Sequence, residues 1–257
     1  MSKDFIKEHW EKQAIKYGDS HEASWGDYFA IDLEIQTIGH YISEGNDVLD
    51  VGCANGYSAC QHLSKKINSI IGVDFSEKMI EGANRRKLDM GLGDNVRFEV
   101  GDIRNLRFDD CSFDIVYTTR VLINLPTWED QIKGLKECLR VCRNNGIVVL
   151  SEAFWEPLVL LNSMRTLKQL PPLIEHDFNR YLKKQRLEEY LRSLNIEFVN
   201  IDFSSVYYLG SRFLREIITN PQDYPGYSNP INEIFYKIEN EFSGGDFGIQ
   251  QAYVLRK

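Results

Sequence analysis

The stretch Val48-Leu49-Asp50-Val51-Gly52-Cys53-Ala54-Asn55-Gly56 constrains the fold of this chain more than any other. A short apolar run of buried-strand type passes straight into a turn of small residues, and a helix is predicted over 56–65. Such a turn lets backbone approach a ligand closely and aims helix N–H groups at it. Alone it is weak evidence, because a purely structural strand-to-helix turn also favours glycine.

The flanking pattern strengthens it. Helices are predicted over 4–17 and 30–42, the second with Ile31, Ile35, Ile38 and Ile42 at helical spacing. After the turn come a strand over 69–73, a helix over 76–87 with Ser76 as N-cap, and strands over 96–100 and 113–117. A helix over 128–142, closed by Asn145-Gly146, and a strand over 147–152 follow. Strands alternating with helices imply a parallel sheet with right-handed crossovers. Beyond Glu152 the rhythm breaks. Residues 153–184, with Trp155, Met164, Pro171-Pro172 and His176, read as a helical cap. A helix near 186–194, a strand near 197–207, a second insertion rich in Tyr, Pro and Asn, and a last strand over 247–255 complete the chain. The expectation is one α/β domain over 1–257, with a doubly wound, seven-stranded, mostly parallel sheet. Helices within 1–45 are expected over the ligand side, and lid insertions at 153–184 and 209–243.

Composition narrows the function. With 257 residues and 43% hydrophobic content, one domain with a sizeable core is expected. Lys and Arg number 30 against 38 Asp and Glu, a net charge of -8 that repels phosphate polyanions, so no nucleic-acid partner is expected. The opening MSKDFIKEHWEKQ is charged throughout and does not read as a secretory signal, and nothing approaches a membrane-spanning run. Five scattered cysteines, Cys53, Cys60, Cys111, Cys138 and Cys142, read as reduced thiols of a cytoplasmic protein. Cys138 and Cys142 stand one helical turn apart without a His cluster, so no metal is expected. The chain is expected to be a monomer or homodimer.

Three strand ends carry the candidate site. Asp74 ends the second strand, where an acidic group holds ribose hydroxyls. Asp102 follows the third strand, where it can accept from an adenine amino group while Ile103 and Phe75 or Met79 flank the ring. In open α/β sheets ligands bind outside the carboxyl ends of the strands. The glycines Gly52 and Gly56 lack the G-x-G-x-x-G spacing of a dinucleotide fingerprint, and no Tyr and Lys four apart serve hydride transfer, which counts against a nicotinamide oxidoreductase. No G-x-S-x-G elbow or zinc signature points to hydrolysis.

Over residues 45–152 the sequence resembles the class I S-adenosylmethionine-dependent methyltransferases, whose first motif, an acidic residue and G-x-G-x-G, is matched by Asp50, Gly52, Ala54 and Gly56. Ala54 departs from the central glycine. The resemblance implies S-adenosyl-L-methionine as cofactor, with Asp50, Gly52, Cys53 and Ala54 toward its methionine part, Asp74 on the ribose, and Asp102 with Ile103 on the adenine. It also implies that Thr118 to Arg120 line the floor under the sulfonium. Trp10 and Tyr17 match an aromatic-bearing first helix that folds over the cofactor, and an ordinary amphipathic stripe is the alternative. The segments Tyr208-Leu-Gly-Ser-Arg212 and Gly248 to Lys257 resemble bacterial methyltransferases that tailor surface polysaccharide or secondary metabolites.

The implied reaction is in-line methyl transfer to an oxygen or nitrogen of a small molecule such as a sugar, phosphorylated or carboxylated metabolite. Alignment and exclusion of water dominate such a step, and a base is optional. A protein that binds the cofactor without turnover is the alternative, against which Asp50, Asp74 and Asp102 together argue. Glu152, at the tip of the fifth strand, and His176 with Asp177 in the cap are the best-placed titratable groups. Glu152 alternatively caps a helix or pairs with Arg120. Arg120 either holds a carboxylate or phosphate of the acceptor or makes an internal salt bridge, and Asn124 stands where related enzymes carry a His. Trp155, Tyr208 and Arg212 are the candidate acceptor contacts.

Overall fold

The small-residue turn lies where the order of the sheet reverses. The computed structural model describes residues 3–219 and 226–257, and residues 220–225 of the second expected insertion lie outside them. Seven strands form one sheet in the order β3-β2-β1-β4-β5-β7-β6: β1 (Asp47–Val51), β2 (Ser69–Asp74), β3 (Val96–Val100), β4 (Phe113–Thr119), β5 (Cys142–Ala153), β6 (Glu197–Ile201) and β7 (Gln250–Arg256). The first five are parallel, and β7 runs antiparallel between β5 and β6. Consecutive burial of Val48, Leu49 and Val51 fits a strand covered on both faces. Because β1 has β2 on one side and β4 on the other, the crevice at its carboxyl end is the switch point where such sheets hold ligands.

Helices α1 (Lys3–Tyr17) and α2 (Tyr28–Gly39) precede the sheet. α3 (Tyr57–Gln61), α4 (Glu77–Asp89) and α5 (Trp128–Val141) make the crossovers, then α6 (Trp155–Leu167) and α7 (Lys184–Ser193) follow β5. α8 (Ser205–Leu209), α9 (Arg215–Ile218) and α10 (Asn232–Glu241) lie between β6 and β7, with a π-helical turn Gly210–Leu214 joining α8 to α9. The Ser76 hydroxyl accepts from Met79 N–H at 3.2 Å, the expected cap of α4.

Three expectations are corrected. Asn145-Gly146 does not close α5, which ends at Val141. The pair bends the start of β5, where Asn145 takes φ +66° and gives its N–H to Lys257 O at 2.9 Å. The sixth strand stops at Ile201 rather than 207, because Asp202 accepts from Ser204 N–H in a turn that starts α8. The helix expected over 56–65 is α for its first part and 3-10 over His62–Lys65.

Candidate active site

The turn after β1 is stitched to the end of β2. Gly52 and Cys53 donate their N–H groups to Val73 O at 2.7 and 3.1 Å, and Gly52 and Gly56 take φ +86° and +73°. A Cβ at Gly52 would stand 2.9 Å from Val121 Cβ, so glycine is needed here on both counts. Ala54 also takes a left-handed φ, +46°. Its N–H donates to Asp74 Oδ2 at 3.0 Å, and Ser76 N–H donates to Oδ1 at 2.9 Å. Burial pushes the Asp74 carboxyl up to about 6, against the pull of those two N–H groups.

Two narrow clefts meet at Asp74. One, of about 50 Å³, is lined by Asp74, Phe75, Asp102, Ile103, Val121 and Leu125. The other, of about 40 Å³, is lined by Trp10, Cys53, Ala54, Asp74, Phe75, Met79 and Arg120. Gly52 and Asn124 border both. α1 lies over them. Ile6 is buried in the first cleft, Ser76 donates its hydroxyl hydrogen to Glu11 Oε1 at 3.0 Å, and Lys7 pairs with Glu77 at 3.2 Å. Asp102 is engaged by Arg104, which donates through its N–H, Nε at 3.0 Å and Nη2 at 2.7 Å.

The clefts open onto a cavity of about 1020 Å³. Trp10, Ser24, Arg120 and Asn124 wall both the second cleft and this cavity. Aromatic rings dominate the walls, among them His9, Tyr17, Trp25, Phe178, Tyr181 and Tyr208. His9 stacks on Phe178 at 4.2 Å, and His176 lies parallel to the same ring at 5.4 Å, which ties α1 to the segment after α6. Burial, with Coulombic repulsion from His176 and Lys12, lowers the pKa of His9.

Several sequence-derived residues are placed elsewhere. Asp50 is fully buried and lines neither cleft nor the cavity. Its carboxyl faces the Tyr117 hydroxyl, whose pull is outweighed by burial, which pushes the carboxyl up to about 8. Thr118 is buried and donates its hydroxyl hydrogen to Glu152 Oε1 at 2.7 Å, so Thr119 rather than Thr118 lines the second cleft. Glu152 is also buried. It accepts from the N–H groups of Val121, Leu122 and Ile123 at 3.0 to 3.2 Å, which makes it the anchor of the turn below the clefts rather than a group open to a substrate. Arg120 is paired with Glu34 and lies over the Trp25 ring, the internal salt-bridge alternative, with a partner other than Glu152. Arg212 pairs with Asp27 and lies over Tyr208 and Tyr227 in the cavity wall. Trp155 is 40% exposed at a separate surface groove and does not reach the cavity. Its position at the first residue of α6 turns it outward, whereas Leu158 and Leu161 of the same helix are buried.

Sequence reasoning passed over His9, Trp25 and Phe178, and the partners Glu34 and Asp27. Asp27 had a local signal, as the N-cap that accepts from Ala30 N–H. The others come together only through tertiary packing.

Residues 48–146 match the family described as methyltransferase domain. Over these residues the sequence is that of a class I S-adenosylmethionine-dependent methyltransferase domain. Among curated relatives it is 32% identical over 113 residues to 27-O-demethylrifamycin SV methyltransferase of Amycolatopsis mediterranei (strain S699), covering 44% of this chain and 40% of that protein. It is 37% identical over 114 residues to demethylmenaquinone methyltransferase of Staphylococcus saprophyticus, covering 43% of this chain and 46% of that protein. The matches span less than half the length of these relatives. Among solved structures, a chain of the complex between the Haloferax volcanii Trm112 methyltransferase activator and a methyltransferase aligns with TM-score 0.63 at 17% identity, covering 96% of both chains. Phosphoethanolamine N-methyltransferase 1 of Haemonchus contortus, with phosphoethanolamine and S-adenosylhomocysteine, aligns with TM-score 0.62 at 18% identity, covering 100% of this chain and 50% of that one. The methyltransferase domain uses S-adenosylmethionine, and the clefts fit its chemistry. They offer an apolar slot between Ile103, Val121 and Leu125 and a carboxylate, Asp74, shared by both arms. No helix among the described residues is long and apolar enough to cross a membrane.

Proposed function

We propose that this chain transfers the methyl group of S-adenosylmethionine to an oxygen or nitrogen atom of a small molecule lodged in the ring-lined cavity. The observation that carries this reading is the shared wall of Trp10, Ser24, Arg120 and Asn124, which joins the cofactor clefts to a space large enough for a second ligand. When bound, the cofactor supplies a methyl group on a sulfonium, which an acceptor lone pair takes by in-line displacement. Asp74 holds the ribose, Phe75 and Ile103 flank the adenine, Asp102 orients it, and the turn from Gly52 to Ala54 faces the methionine part. Trp10 closes the cofactor off from water. α1 and the segments within 153–184 and 209–243 form the lid that sets acceptor choice.

The relatives are named for a rifamycin derivative and for demethylmenaquinone, and both names support a small-molecule acceptor. Because Arg120 and Arg212 are already paired with Glu34 and Asp27, the geometry does not favour a phosphate or carboxylate as the acceptor's anchor. Calorimetry of the purified chain with S-adenosylmethionine and S-adenosylhomocysteine tests the first half, with micromolar binding expected. Release of S-adenosylhomocysteine across a panel of hydroxyl and amine acceptors tests the second. Absence of cofactor binding by a folded chain sinks the proposal.

A further inference from the structure

Resting on that reading, we infer that the cavity takes a neutral, flat, multi-ring acceptor of the hydroxylated aromatic class. The cavity's 1020 Å³ reaches the upper end of small-molecule pockets, about 300–1,000 Å³, and exceeds the needs of a single sugar or amino acid. Its walls present ring faces and edges from α1, from the loop before α2 and its first turn, from the segment after α6 and from α8. Such walls favour a ligand that itself stacks.

Charge decides the rest. Of the described lining residues, Glu22, Arg120 and Arg212 carry fixed charge. Glu22 is exposed at the rim. An anion drawn to either arginine would leave Glu34 or Asp27, both fully buried, without its cation. A cation would compete for ring faces that already hold guanidinium groups, over Trp25, Tyr208 and Tyr227. His9, held toward its neutral form by burial, adds no attraction for an anion. A neutral ligand meets neither penalty.

The polar edge of that ligand is set by Asn124. Its Nδ2 donates to Arg120 O at 2.6 Å, which fixes the amide, since the flipped form would face oxygen with oxygen. Its Oδ1 is therefore turned the other way, and it is buried without a partner. Asn124 borders both clefts and the cavity, so a hydroxyl that donates to Oδ1, once the neighbouring side chains shift to admit it, stands at the passage toward the cofactor.

One ring system in different charge states tests this. The full chain, saturated with S-adenosylhomocysteine, is titrated with 1-hydroxypyrene, pyrene, pyren-1-ylmethylammonium and pyrene-1-sulfonate, read by pyrene fluorescence anisotropy. The expected result is 1-hydroxypyrene binding at least tenfold tighter than either charged analogue. Phe178→Ala is expected to weaken it at least fivefold. Asn124→Leu is expected to erase the preference for 1-hydroxypyrene over pyrene while pyrene itself still binds. A charged analogue that binds as tightly as 1-hydroxypyrene, or no pyrene binding at all, overturns the inference. S-adenosylhomocysteine binding, measured on the same samples by calorimetry, separates the two claims. Its failure overturns the methyltransferase reading, whereas intact cofactor binding without pyrene binding overturns the acceptor class alone.

Discussion

Ala54 donates its backbone N–H to the Asp74 carboxylate at 3.0 Å while its own φ stands at +46°. That conformation costs a residue with a Cβ about 1–2 kcal/mol relative to glycine. The contact explains why the strain persists. A relaxed turn would withdraw one of the two N–H groups that hold Asp74 at the meeting point of both clefts. Ala54→Gly removes the strain and gives back about 0.4–1 kcal/mol through the freer unfolded chain. A net gain of up to about 1 kcal/mol is expected, a melting temperature higher by about 2–4 °C for a chain of this size. A melting temperature that falls on this substitution contradicts the assignment of strain.

Glu152 ties down the turn that separates the clefts from β5. Three backbone N–H groups and the Thr118 hydroxyl converge on its two oxygens. Glu152→Gln turns one acceptor oxygen into a donor that faces N–H, and a loss of about 2 kcal/mol is expected from the group left unmatched. Urea unfolding measures it. S-adenosylhomocysteine affinity should fall in parallel, because Val121 and Asn124 ride on that turn. A variant of unchanged stability that loses only the acidic limb of a pH–rate profile would instead make Glu152 a base.

The cofactor half of the site was legible because it is local in sequence. Asp74 ends β2, and Ala54, Phe75, Asp102 and Ile103 lie within three residues of a strand's end, so reading the strands places them at one sheet edge. The acceptor half was not, because it depends on residues 86 and 185 positions apart packing together. Arg120 and Glu34 meet from β4's end and α2, and Arg212 and Asp27 from the π-helical turn and α2's cap. No spacing rule links such pairs. The turn into α8 was misread for a different reason. Val206, Tyr207 and Tyr208 have strand propensity, but Asp202 and Ser204 make the turn chemistry that overrides it.

Asp50 should set a slope in stability against pH. Its folded pKa of about 8 lies above its ordinary value of 3.8, so the folded state keeps a proton that the unfolded chain releases. Stability from this group is full below pH 3.8 and lost as pH rises to about 8, where the slope ends. The decline is about 1.4 kcal/mol per pH unit at most. Asp50→Asn has no proton to lose. Asp74 and Glu152, also raised, titrate in both proteins, so the difference in unfolding free energy between wild type and Asp50→Asn isolates Asp50. The expected record from urea titrations between pH 5.5 and 9 is a difference that grows in favour of the variant up to about pH 8 and then levels. A flat difference over that range rules out the raised carboxyl.

Arg212 and Asp27 form a buried pair, and its tests must separate structure from ligand contact. Asp27 is fully buried and accepts from the Tyr207 hydroxyl at 2.6 Å and from Ala30 N–H at 3.2 Å, besides its bond to Arg212. Arg212 also donates to the Ser211 hydroxyl at 2.8 Å and covers the rings of Tyr208 and Tyr227. Arg212→Met removes the cation and leaves the carboxylate buried, at an expected cost of about 3–5 kcal/mol. Asp27→Asn leaves the guanidinium buried, with a similar loss. The double variant strands neither charge, so it should be more stable than the sum of the single losses by about 1–3 kcal/mol. Urea unfolding of all four proteins measures that coupling, and additive losses would sink the pairing. Loss of acceptor turnover in Arg212→Met alone would therefore not identify an acceptor contact. Turnover missing from a double variant that has regained stability and S-adenosylhomocysteine binding would do so, because only the wall of the cavity would then differ.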